Sequence, residues 1–408
     1  MRVFATGLAV LLGVVSLSAQ SPAGPAGKDR LNVERLLRTL AHDTMEGRGT
    51  ATVGEERASR FIAAEMQRVG LKPMGDEGFF QRVPMAMLVA NRPGGVRLPA
   101  GCQAGTFRVN GDSVATPLWK CTASTPPAAA NAPPGQVATT YRLPTNPAAA
   151  VARLTPLQSF AAYDTLPAAS RRLGRNVVGL IPGSDRKLKN EVILVMAHYD
   201  HLGIRGPGIN GDSIYNGADD DASGVVAVLE IARALRQGKG PKRTVIFATM
   251  TGEEMGLLGT RWFINNPPVP LTTVVAGFEI EMIGRRDSLA GGFGKAWLTG
   301  YDRSTMGDML KANGIPIVAD PRPNQGFFQR SDNYAFAQMG IVAHTLSTFN
   351  LHTDYHRPSD DVEKVDFDHM TAVIKAAASA VGHLANGPTP EWHPGGRPTP
   401  PAARSSMP

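Results

Sequence analysis

The chain has 408 residues, a formal net charge of +7, and 42% apolar against 19% charged side chains. That balance fits a globular, soluble protein, long enough for a main domain with an inserted or flanking module. The basic residues are scattered and form no long Lys/Arg block, so the charge reads as solvated surface and no nucleic-acid partner is expected.

Met1-Arg2 precedes an apolar run of about 15 residues, short of the roughly 20 needed to span a bilayer. Small residues follow (Ser16, Ser18, Ala19), and 1–21 reads as a cleaved secretory signal peptide. The expected mature protein is secreted or periplasmic, with no stable membrane span. Helices are predicted over 31–40 and 54–70; in the second, Ala58, Phe61, Ile62, Met66 and Val69 recur at helical spacing and Gly70 ends it. They make up the N-terminal part, 28–84, of the main domain.

Over 85–174 the character changes. Pro and Ala become dense, periodicity is poor, and both cysteines, Cys102 and Cys121, fall here. This stretch reads as an insert with no assignable fold. In an exported protein the two thiols are expected to form one disulfide, worth roughly 3 kcal/mol. Two thiols cannot build a Cys-rich zinc site, so any metal must use imidazole and carboxylate.

Over 175–386 the pattern is regular. Strands are predicted at 176–181, 191–197, 243–249, 273–281, 296–299 and 341–346, and helices at 223–237, 255–264, 304–312, 333–338 and 367–384. Alternation of the two implies an α/β sheet covered on both faces. The Pro-rich polar end, 387–408, is expected to be disordered.

Residues that bear chemistry fall just past the predicted strands, where open α/β sheets gather their ligands. His198 and Asp200 end one strand, and the carboxylate could fix the imidazole tautomer of a metal ligand. His201 adjoins the pair, lacks such a partner, and is not counted. Asp219, Asp220 and Asp221 precede a helix; acids favour that position, yet three exceed what a cap needs and repel unless a cation neutralises one. Asp220 is the candidate shared ligand, with Asp221 and Ser223 as caps. Glu253 and Glu254 follow a strand and could supply a base and a ligand. Glu279 and Glu281 share a strand face, so alternation does not choose between them, although position at the strand end favours Glu281. His352 and His356 compete as the last ligand.

The ordered set resembles the co-catalytic zinc exopeptidases, a family that includes secreted bacterial aminopeptidases, aminopeptidase Y and glutamate carboxypeptidases. The match runs through His198-Tyr199-Asp200, 216–224, Thr251-Gly252-Glu253-Glu254, 281–285 and 355–360, and includes Met45-Glu46-Gly47-Arg48-Gly49. The resemblance implies an α/β fold with a mixed central sheet flanked by helices on both faces. It implies two zinc ions per chain, one held by His198 and Glu281, the other by Glu254 and His356, with Asp220 shared. Glu253 would be the general base, Asp200 the partner of His198, and Tyr355 an oxyanion stabiliser. Peptides would be the substrates, and an aminopeptidase is the expected activity. The alternatives are a carboxypeptidase of the glutamate carboxypeptidase kind, a one-zinc glutaminyl cyclase, and a catalytically silent binding protein. Three departures stand out: Glu281 where the family uses Asp, Asp221 where Asn is common, and an insert shorter than a protease-associated domain.

Overall fold

The computed structural model describes residues 25–89, 152–209 and 211–399, plus the strands Cys102–Gly105, Arg108–Val109, Asp112–Ser113, Leu118–Thr122 and Thr139–Arg142. The expected signal peptide lies outside them. The central sheet is built from Phe80–Val89 (β1), Ala152–Pro156 (β2), Arg171–Ile181 (β3), Val192–His198 (β4), Thr244–Met250 (β5), Val274–Glu281 (β6), Ala296–Leu298 (β7), Ile317–Ala319 (β8) and Ala343–Ser347 (β9). Their order is β8-β7-β9-β6-β4-β5-β3-β1-β2. The neighbours β9, β6, β4 and β5 run parallel, while β3, β1 and β2 join antiparallel, so the sheet is mixed, as expected.

Helices Pro25–Leu40 (α1), Val53–Val69 (α2), Gly224–Gln237 (α3), Leu258–Asn265 (α4), Thr305–Ala312 (α5), Asp332–Gln338 (α6) and Phe367–Asn386 (α7) cover the sheet. Strand β4 has a continuous apolar sequence because both of its faces are buried. Ile193, Val195 and Ala197 pack into a core with Leu37 of α1, Ile62 of α2, Val226 of α3 and Val381 of α7. Val192, Leu194 and Met196 point the other way, into a core with Phe263 of α4 and Phe336 of α6. Thr52 caps α2 by accepting from the Glu55 N–H, and Gly70 ends it in the left-handed region at φ 84°.

Two expectations are corrected. The insert expected over 85–174 begins inside β1 and ends inside β3, because Phe80–Val89 and Ala152–Pro156 belong to the central sheet. Pro84, opposite Leu173 in that sheet, hides the strand in the sequence, since proline gives up a ladder donor. Within the insert, Cys102–Gly105 pairs antiparallel with Leu118–Thr122, with Cys102 opposite Cys121. The end of the chain is also ordered further than its composition suggests. As far as residue 399 it is described, with the Trp392 indole donating to the Gly340 carbonyl (2.9 Å) and the Arg243 guanidinium to the Gly387 carbonyl (2.6 Å). An aromatic anchor and a buried arginine outweigh the low local hydrophobicity.

Candidate metal centre

Parallel strands β4, β5, β6 and β9 deliver their carboxyl ends to one edge, and the site forms there. His198 is the last residue of β4, and Glu253 and Glu254 follow β5. Glu281 closes β6, and His356 lies on the loop after β9. Asp220 comes from the segment entering α3, where a cis peptide joins it to Asp221. Several non-glycine residues here take left-handed backbone conformations, among them Met282 (φ 51°) and His356 (φ 56°). Such strain of about 1–3 kcal/mol each is characteristic of functional sites.

Two groups of ligand atoms share Asp220. His198, Asp220 and Glu281 form one, and His201, Asp220 and Glu254 the other, with the atoms of each group within 4.8 Å of one another. His198 Nε2 is 3.3 Å from Asp220 Oδ1 and 3.9 Å from Glu281 Oε1. His356 Nε2 is 3.2 Å from both Asp220 Oδ2 and Glu254 Oε1. His201 Nδ1 lies 2.9 Å from the same Glu254 oxygen. The buried atoms His198 Nε2, His201 Nδ1, Asp220 Oδ2 and Glu254 Oε1 nonetheless have no hydrogen-bond partner. Buried polar atoms without partners are costly, and imidazole and carboxylate groups converging in this way fit divalent cations such as zinc.

The choices left open in the sequence have distinct geometric outcomes. Glu279 is fully buried and accepts from Ser331 Oγ (2.8 Å), the Asn333 N–H (2.7 Å) and Thr345 Oγ1 (2.9 Å), away from the ligand groups. His352 Nε2 meets Asp219 Oδ2 at 3.0 Å, so it braces the loop while His356 faces Asp220. Among the three aspartates only Asp220 belongs to both ligand groups. Asp221 Oδ1 accepts from the N–H groups of Gly224 and Met282 (both 3.0 Å), and Asp219 Oδ1 from that of Gly284 (2.6 Å). The acids on either side thus tie α3 to the loop after β6.

Asp200 does something other than expected. His198 Nδ1 contacts the Asp200 backbone carbonyl at 3.1 Å, whereas the carboxylate is 3.9 Å away. That carboxylate instead accepts from Thr50 Oγ1 (2.8 Å) and the Glu253 N–H (3.0 Å). It therefore places Glu253, and the imidazole tautomer is set by the main chain.

Two further residues carry the site and were not singled out by sequence reasoning. Arg48, fully buried, donates to the carbonyls of Leu40 (2.9 Å), Tyr199 (2.7 Å), Asn216 (2.6 Å) and Gly217 (2.8 Å). It clamps the segments that carry His198 and Asp220; the only sequence signal was its short glycine-flanked motif. Asp360 accepts from the N–H groups of Asp219 (3.1 Å) and Asp220 (3.0 Å) and pairs with Arg285 (3.1 Å).

The electrostatics follow from this crowding. Burial pushes the Glu281 carboxyl up to about 8, opposed by His198 and reinforced by Glu279 and Asp220. Burial and the carboxylates of Glu281, Asp332 and Glu254 hold Glu253 well above the usual carboxylate range, against His198. Burial and Asp220 act upward on Glu254 too, but the imidazoles of His201 and His356 bring it down to about 2. Beside these groups opens a cleft lined by Met282, Trp297, Phe327, Phe349, Tyr355 and Arg330. The Tyr355 ring stacks on His356 with centroids 3.9 Å apart.

Fold and site together define an α/β protein of the metallohydrolase kind, with two groups of ligand-type atoms about one shared aspartate. The model of peptidase family M28 matches residues 176–381, half of the chain, and the protein belongs to that family. Leucine aminopeptidase 2 of Trichophyton rubrum is 27% identical over 234 residues, covering 52% of this chain and 44% of the relative. Vacuolar membrane protease of Pyrenophora tritici-repentis is 25% identical over 226 residues, covering 52% of this chain and 22% of the relative. The chain thus spans less than half the length of these curated relatives. Among solved structures, an aminopeptidase from Aneurinibacillus sp. strain AM-1 superposes with a TM-score of 0.54 at 17% identity, over 88% of this chain and 94% of its own. A zinc aminopeptidase from Bacillus subtilis gives a TM-score of 0.54 at 14% identity, over 88% and 95%. At such identities the likeness establishes the fold.

Proposed function

We propose that the protein is an exported dinuclear zinc exopeptidase that removes N-terminal residues from peptides, favouring an apolar side chain there. The observation that carries this reading is the pair of ligand groups sharing Asp220, with Glu253 beside them at the mouth of an aromatic pocket. The names of relatives and neighbours, a leucine aminopeptidase and zinc aminopeptidases, support the same activity.

His198, Glu281 and Asp220 would hold one zinc, and Glu254, His356 and Asp220 the other; when bound, zinc would supply Lewis acidity to acidify water and polarise a carbonyl. Glu253 accepts the proton of the attacking water and passes it to the departing amine, so that it acts as base and then as acid. Asp200, bonded to the Glu253 N–H, keeps that carboxylate in reach. The Tyr355 hydroxyl donates to the oxygen on which charge builds in the tetrahedral state. Trp297, Phe327, Phe349 and Met282 receive the side chain of the residue to be released. Export is supported by the N-terminal apolar run. A Cys102–Cys121 disulfide is supported by the register, since opposed antiparallel residues have Cα atoms about 4.5–5.5 Å apart, within disulfide reach.

The test is Glu253→Gln, assayed on aminoacyl-anilides with zinc quantified. The variant should keep the zinc of the wild type and lose turnover by orders of magnitude. Loss of zinc instead would make Glu253 a ligand. Wild-type protein that cleaves only C-terminally varied dipeptides would be a carboxypeptidase, and one that cyclises substrate with near one zinc per chain a glutaminyl cyclase. A chain that turns over nothing would be a binding protein.

A further inference from the structure

We infer that His201 is a fourth protein ligand of the cation held by Glu254, His356 and Asp220, which makes the two cation sites unequal and this one the tighter. The inference rests on the proposed dinuclear centre and deepens it. His201 is 2% exposed, and neither of its ring nitrogens has a hydrogen-bond partner. A histidine kept only for packing would be expected to satisfy at least one of them. Its Nδ1 comes within 2.9 Å of Glu254 Oε1 and 3.8 Å of Asp220 Oδ2. The shorter distance would suit a hydrogen bond, but the alignment does not, and Nδ1 and Oε1 both remain without a partner. Two polar atoms that approach closely without pointing at each other are aimed at a common third point.

His356 Nε2 faces the same two oxygens from another direction, at 3.2 Å from each. Four of the six edges among these donors measure 2.9, 3.2, 3.2 and 3.8 Å. A tetrahedral zinc with bonds of 2.0–2.1 Å has ligand–ligand edges of about 3.3 Å. The rings of His201 and His356 meet edge to face, with centroids 5.7 Å apart, as two ligands of one ion can.

The backbone holds His201 where this requires. Its N–H donates to the Arg48 carbonyl (3.1 Å). Its ring lies against Gly217, where a Cβ would come within 2.6 Å of His201 Cγ and Cδ2. Gly217 also has φ +55°, so glycine both clears the ring and takes the turn. At the other site, His198, Asp220 and Glu281 supply three donors. Four protein donors are typical of closed structural zinc sites and three of sites that keep an open position. The asymmetry therefore predicts that zinc leaves the His198 site first, and that the open position for water or substrate lies there.

Zinc-loaded full-length protein challenged with rising chelator should release its metal in two steps. The form left with one zinc should show two imidazoles per zinc by X-ray absorption, from His201 and His356. His201→Asn should weaken retention of that zinc at least tenfold, while His198→Asn should remove the easily lost one. Circular dichroism melts show whether each variant is folded; the absorption measurement on wild-type protein stands even where a variant is not. One imidazole per zinc in the one-zinc form, or a folded His201→Asn with an unchanged chelator profile, overturns the inference while leaving a two-zinc peptidase intact. Wild-type protein that takes up no zinc overturns the proposed centre and this inference together.

Discussion

Replacing Arg48 with methionine tests whether a buried cation remote from the chemistry holds the centre together. The guanidinium donates to four buried carbonyls, and three of them belong to Tyr199, Asn216 and Gly217, beside the segments that carry His198 and Asp220. A buried carbonyl left without a donor costs about 1–3 kcal/mol. Four of them give a gross loss of roughly 4–12 kcal/mol, offset by several kcal/mol because methionine has no charge to desolvate. Arg48→Met should therefore lose about 4 kcal/mol net. For 408 residues with an unfolding entropy of about 2.1 cal/mol/K each, that is a fall in Tm of roughly 5 °C. Zinc retention should drop as well, because the segments that carry His198 and Asp220 are no longer held together, and this outweighs the gain in cation attraction from removing a nearby positive charge. Arg48→Lys separates charge from clamping: it keeps the charge but not the four-way fork, so it should retain zinc no better than the methionine variant if the clamp is what matters. Melting followed by circular dichroism, with zinc quantified on the same samples, reads both. A methionine variant that melts within about 1 °C of wild type and keeps its zinc would refute the clamp.

Glu281→Ala should strip one zinc, whereas Glu279→Ala should keep both and lose stability by about 3 kcal/mol, having given up three buried hydrogen bonds; the reverse pattern of zinc content would move the ligand to Glu279. Glu281→Asp, which shortens the arm by one methylene, should fold and stay active at a modestly altered rate. Glu55, buried at the start of α2 and bonded to Thr251 and the Ala51 N–H, is raised by burial and by Asp200 from 4.5 to about 8. The folded state then holds its proton more tightly than the unfolded chain, so stability is fully present below pH 4.5 and falls as pH rises to about 8, by up to about 5 kcal/mol. Glu55→Gln should flatten that fall; melting curves at pH 5 and pH 9 that differ equally between variant and wild type would sink the assignment.

Much of this centre was legible because its ligands sit at strand ends, and hydrophobic periodicity locates strand ends. His198 and Glu281 end strands and the Glu253-Glu254 pair follows one, though the choice of Glu254 as the candidate ligand comes only from the family resemblance; position at the strand end favours Glu281 over Glu279. What was not legible depends on contacts between distant segments. His201 looked partnerless because its neighbours in sequence offer nothing; the carboxylate it meets, Glu254, arrives from the loop after β5. Asp200 was paired with the nearest imidazole, but its carboxylate reaches Thr50 and Glu253, each some 50 or more residues away or across the site. Arg48 could be seen as part of a motif, yet nothing local says that its guanidinium spans four carbonyls. Strand β1 was lost to Pro84, and the ordered tail to a composition that conceals what Trp392 does.

The three consecutive aspartates show why composition alone misleads at such a site. As a helix cap the run is excessive, and as a ligand cluster it is excessive too, since only Asp220 enters the ligand groups. The run makes sense once the three carboxylates are seen to point three ways. Asp219 and Asp221 accept backbone N–H groups from the end of β6, which fixes Asp220 between His198 and His356. The arrangement concentrates negative charge: burial and mutual repulsion raise Asp221, Glu253 and Glu281 together, against the opposing pull of His198. Divalent cations are the economical way to complete such a cluster, because each brings two positive charges to a point that several carboxylates can share. Fixing the anions with backbone hydrogen bonds before a cation binds is what preorganises the centre. The surplus acids are thus the scaffold of the site, and Asp220 is its working member.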